Sequence, residues 1–91
     1  NNGAGQAIGT ALALIAMSDR RAKTNIQYIT TMGNGLNVYS FDYIWGDRKN
    51  IGVMADEVQK LLPEALGPTV NGYQTVSYDR IPDWEVFVNA L

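Results

Sequence analysis

The chain has no cysteine and no histidine, only 3 prolines, and a charge surplus of just -2. Without cysteine no disulfide can staple it, and the thiolate and imidazole ligands of the usual zinc sites are missing. The weak acidic balance gives no basic face to nucleic-acid phosphates. No apolar run reaches the roughly 20 residues that a bilayer span needs. The longest, from Ala4 to Met17, contains Gly5, Gln6, Gly9 and Thr10 and lacks the basic start of a secretory signal. These absences lead us to expect no metal, no cofactor, no nucleic-acid partner and no membrane span.

What is present amounts to one small domain. A core built from 91 residues is marginal on its own, and with disulfides and zinc excluded the expected supplement is another copy of the chain. The chain opens on Asn1, and residues 1–17 read as an apolar upstream segment, the end of a longer chain or a leader, with the domain proper at 18–91. Ile8, Leu12 and Ile15 recur at i, i+4 and i+7 beside Ala11 and Leu14, a spacing that predicts a helix packed through small residues against neighbouring copies.

Downstream the period changes. Gly33-Asn34-Gly35 punctuates the chain, and Val38 to Trp45 alternates as a strand. Tyr39, Phe41, Tyr43 and Trp45 share one face, which is expected to be buried. Gly46 to Asn50 reads as a hairpin loop returning Ile51 to Met54 as a second strand. Ala55 to Leu62 is expected to be a short helix with Val58, Leu61 and Leu62 inward, ended by Pro63. Asn71-Gly72 signals a type I′ turn before a third strand, Tyr73 to Tyr78, in the same antiparallel sheet. Asp79 is an expected N-cap for a C-terminal helix with Trp84, Phe87, Val88 and Leu91 along one stripe. The fold class expected is therefore α+β: a small antiparallel sheet of about three strands, a short central helix and a C-terminal helix, preceded by an apolar N-terminal helix.

The chemistry, if any, lies in Ser18-Asp19-Arg20-Arg21-Ala22-Lys23, which sets a hydroxyl nucleophile five residues before an amine. Serine needs an adjacent base, and lysine serves only when burial or a neighbouring cation lowers its pKa; Arg20 and Arg21 offer such repulsion. On a regular helix that spacing separates the two side chains by about 140°, so the segment must turn around Ser18 or borrow Lys23 from another chain. The competing structural reading makes Ser18 an N-cap and Lys23 an ordinary surface lysine. Asp56 and Glu57 point about 100° apart on a helix and form no working carboxylate pair.

Three blocks taken together carry a resemblance: Ser18-Asp19-Arg20-Arg21-Ala22-Lys23-Thr24-Asn25-Ile26, then Ile51-Gly52-Val53-Met54-Ala55-Asp56-Glu57-Val58, then Tyr73-Gln74-Thr75-Val76-Ser77-Tyr78. In that order they resemble the C-terminal intramolecular chaperone domain of phage endosialidases and tail fibres, a family of self-cleaving serine-lysine peptidases. The resemblance covers most of Ser18 to Ile81. It implies a homotrimer in a virion, meeting itself and other virion proteins, that helps upstream chains register and fold and then cuts the bond between Met17 and Ser18. Carried over, Ser18 is the nucleophile and Lys23 the proton acceptor; the oxyanion donor is not identified by the sequence. Asp56 stands where the family more often has glutamine, and the family's last helix commonly runs past the position of Leu91. Two further readings stand beside it: a structural virion module that does not cut, and a small carbohydrate- or ligand-binding domain using the aromatic strand face.

Overall fold

The computed structural model describes residues 15–46 and 48–91. Among the described residues five strands and two α-helices make a small α+β fold with antiparallel sheets. We number them β1 (Ile15–Met17), β2 (Lys23–Thr31), β3 (Asn37–Tyr43), β4 (Lys49–Gly52), α1 (Ala55–Leu61), β5 (Thr75–Ser77) and α2 (Trp84–Asn89). The central sheet runs β2-β3-β4, and β1 pairs with β5 in a separate ribbon. No helix among the described residues is long and apolar enough to cross a membrane.

The β2–β3 hairpin closes where Met32 donates to the Leu36 carbonyl at 2.8 Å and Gly35 adopts φ +93, with the Asn34 side chain accepting from the Leu36 amide at 3.0 Å. Its register sets Lys23 opposite Tyr43 and Tyr28 opposite Tyr39. The pairing slips between Thr24 and Gln27, where Asn25 takes a left-handed conformation (φ +54), one of the few residue types that does so at low cost. Asn71 and Gly72 both have positive φ, as a type I′ turn requires, and Val70 and Tyr73 bond each other across it.

The core gathers Leu36, Val38, Val53, Val58, Val76, Ile81 and Trp84. Each fully buried aliphatic side chain there contributes about 1.5–3 kcal/mol. Pro63 follows the last turn of α1 and opens a 3-10 turn, Pro63–Ala65, whose Ala65 is sealed in the core. Trp84 anchors α2, its ring 4.7 Å from that of Tyr78.

Several expectations are corrected. Of the expected N-terminal helix, residues 1–14 lie outside the described residues, and Ile15–Met17 is a strand because β5 supplies it with a ladder partner. The run before Tyr78 does not join the central sheet; it pairs with β1. The third strand of the central sheet is instead β2, a segment without apolar alternation. The aromatic face of β3 is buried only at Phe41: Trp45 is exposed, while Val38 on the opposite face is fully covered. Leu61 and Leu91 point to solvent. Tyr78–Arg80 forms a 3-10 turn, and Asp83, not Asp79, precedes α2.

Candidate active site

The segment 18–23 turns back on itself through one residue's side chain. Asp19 caps the 3-10 turn Arg20–Ala22 by accepting from the Arg21 amide at 2.9 Å, and the Ala22 amide closes on the Asp19 carbonyl at 3.0 Å. The same carboxylate takes the Arg21 guanidinium in a fork, at 3.0 Å from Nε and 2.8 Å from its terminal nitrogen, and the Gln74 amide at 3.1 Å. These donors hold its pKa well below the usual carboxylate range. Arg21 also donates to the Gly72 carbonyl at 2.7 Å and lies over the Tyr73 ring. The turn therefore ties the end of β1 to the start of β5 and aims the first side chain of β2 into the core.

That side chain is Lys23, only 6% exposed. Its amine donates to the Val53 carbonyl at 2.8 Å and sits 3.9 Å from the centre of the Phe41 ring. Among the described residues no carboxylate lies within ion-pair distance of it. Burial pushes its pKa down to about 7, helped by Arg20 and resisted by Asp19 and Asp56. Of the two arginines only Arg20 supplies repulsion, and it is itself drawn to Asp56 and Glu57 at 3.4 Å. Lys23 is thus neither a surface lysine nor one side of a salt bridge.

Ser18 is completely buried. Its Oγ lies 3.2 Å from the Tyr78 hydroxyl, which accepts from the Val53 amide at 3.1 Å. Serine and lysine of one chain therefore meet on the two backbone groups of Val53, Lys23 directly and Ser18 through Tyr78; no direct hydrogen bond joins them. Gly52 is required by this contact: a Cβ there would fall 2.5 Å from the Tyr78 hydroxyl.

Both polar groups of the peptide unit between Met17 and Ser18 are bonded, and so is the Ser18 carbonyl that follows it. The Ser18 amide donates to the Gln74 carbonyl at 3.0 Å, the Ser18 carbonyl accepts from Ala55 at 2.8 Å, and the Met17 carbonyl accepts from the Tyr43 hydroxyl at 2.6 Å. The structure so brings together Met17, Ser18 and Lys23, and adds Tyr43, Tyr78 and the Val53 backbone, which the sequence reading did not single out. For Tyr43 the available signal is the hydroxyl itself: it stands on a strand face expected to be buried, where phenylalanine would have met the packing need alone, whereas Tyr78 stands in a run read only as a strand. Among the described residues no group of three or more acidic side chains could hold a metal ion.

A family model described as chaperone of endosialidase matches residues 18–67, beginning on the buried serine and spanning both strands that carry Lys23 and Tyr43. No curated protein and no solved structure matches the chain.

Proposed function

The chain belongs to the chaperone-of-endosialidase family, and from that premise we propose that residues 18–91 form the C-terminal trimerisation and folding-assistance domain of a phage virion protein, a tail fibre or appendage, that severs its own chain between Met17 and Ser18. Ser18 is the nucleophile and Lys23 of the same chain its base. The amine takes the hydroxyl proton, and Oγ adds to the Met17 carbonyl carbon through a five-membered ring. The carbon–nitrogen bond breaks as the Ser18 nitrogen receives that proton from Lys23. The resulting ester is opened by water, which restores the Ser18 hydroxyl and leaves a carboxylate on Met17. Nucleophile and target share one residue, so proximity replaces a second substrate and the fold itself is the condition for cutting.

The observation that carries this reading is a buried lysine amine, free of any carboxylate partner among the described residues, linked through Val53 and Tyr78 to a fully buried serine. A lysine placed this way costs stability, and base chemistry gives a reason to keep it. One observation favours the non-cleaving structural module: the Lys23 amine bonds Val53, not Ser18. Mass spectrometry of assembled material separates the two. Cleavage yields a fragment starting at Ser18 of 91 - 17 = 74 residues, absent in Ser18→Ala and Lys23→Ala. Intact wild-type chains reject cutting, and a monomer by sedimentation rejects the trimer.

A further inference from the structure

We infer that Tyr43 is the oxyanion donor of this cleavage, its hydroxyl neutralising the charge that the Met17 carbonyl oxygen gains when Ser18 Oγ adds to the carbon. The inference rests on the self-cleavage proposed above. At 2.6 Å the hydroxyl already occupies the donor position on the oxygen that changes charge. It is also rigidly held. The Tyr43 ring stacks on Trp45 with centres 5.2 Å apart and planes 5° from parallel, and meets Phe41 edge-on at 5.3 Å. Trp45 is buttressed in turn by Tyr73 at 5.8 Å, beneath the Arg21 guanidinium.

Sheet register places this donor beside the base. Tyr43 and Lys23 are directly opposed across β2 and β3, so their side chains leave the same face. Lys23 reaches the Val53 carbonyl on the Ser18 side, and Tyr43 reaches the Met17 carbonyl. Burial raises the phenol pKa, which keeps the hydroxyl protonated and donating at neutral and mildly alkaline pH, where the Lys23 amine is neutral. Tyr43 gives up no proton in the reaction; it donates one hydrogen bond throughout, and the proton that moves travels from Ser18 Oγ to Lys23 to the departing nitrogen.

The test compares first-order cleavage of wild type, Ser18→Ala and Tyr43→Phe after refolding. Tyr43→Phe keeps the stacked ring and is expected to slow cleavage by about 10²–10³-fold. A second readout needs no cleavage. Met17-Ser18 is the one Met-Ser pair in the sequence, so a carbonyl-¹³C methionine and ¹⁵N serine label reports that peptide alone in uncut Lys23→Met protein. There Tyr43→Phe is expected to move the Met17 carbonyl resonance upfield. If Tyr43→Phe does not fold, 3-fluorotyrosine at position 43, a stronger donor of nearly the same shape, is expected to speed cleavage and move the resonance downfield. Wild-type protein that stays uncut overturns both the cleavage reading and this one. Cleavage that needs Ser18 but proceeds at the wild-type rate in Tyr43→Phe, or is unmoved by the fluorinated ring, overturns the role of Tyr43 alone.

Discussion

The Lys23 amine lies 3.9 Å above the centre of the Phe41 ring, and the ring acts on its proton in the opposite sense to the burial around it. Burial drives the amine toward neutrality, while the negative face of the ring attracts its charged form. Only the neutral amine can accept the Ser18 proton. The cleavage rate is therefore expected to rise with pH through about 7 and level off above it. Removing the ring in Phe41→Leu should lower that midpoint by about one pH unit, the equivalent of roughly 1–2 kcal/mol. A rate flat from pH 5 to 9 would exclude Lys23 as the base.

The same amine makes stability depend on pH. Its folded pKa lies below its unfolded value of 10.5, so between about 7 and 10.5 the unfolded chain binds more proton and stability climbs as pH rises. Below about 7 the penalty of the buried charge is present in full. Lys23→Met should abolish the climb and be more stable than wild type at pH 6, by on the order of a few kcal/mol. Urea midpoints from pH 6 to 9 test this. Parallel curves for the two proteins would mean that the amine is solvated.

Tyr78 and Gly52 are expected to be coupled. Tyr78→Phe keeps the ring against Trp84 but strips the Val53 amide and Ser18 Oγ of their partner, costing about 1–3 kcal/mol. Gly52→Ala in wild type drives a methyl against the tyrosine hydroxyl, whereas in Tyr78→Phe that oxygen is gone. The alanine should therefore cost less in the double variant than in the single one. Additive losses in a urea double-mutant cycle would rule out the contact.

Asp19 governs the acid limb. Held by Arg21 and two backbone amides, its carboxyl has a folded pKa depressed below the unfolded 3.8, so its contribution is complete above that value and is lost as pH falls below it. Asp19→Asn should lose about 1–2 kcal/mol at pH 7 and show a shallower decline between pH 4 and 2.5, measured by urea denaturation. An acid limb of unchanged steepness would mean that another carboxylate sets it.

Much of the fold was legible because local chemistry dictates it. Pro63 ends α1, Asn71-Gly72 makes the turn, and Trp84 anchors the last helix as their residue types require. β2 was hidden because only Lys23 of its nine residues is buried and a bulge at Asn25 breaks the period-two pattern. Ile15 fits a helical spacing, so the sequence points to a helix where β1 stands, and nothing local announces a partner as distant in sequence as Val76 is from Ala16. In the site, Ser18 and Lys23 could be singled out by type and order. Tyr43 and Tyr78 could not, since their roles come from register and a tertiary approach that places each hydroxyl on a distant backbone.

The ribbon of β1 with β5 has a consequence for what a cut accomplishes. Ile15, Ala16 and Met17 pair with Ser77, Val76 and Thr75, contacts that do not run through the covalent link to Ser18. On the proposed cleavage, scission at that point would leave a nicked molecule whose two pieces are still laced together, and their parting would be a separate event: the peeling of three residues. Pieces that separate on a denaturing gel would then still migrate as one particle in native buffer.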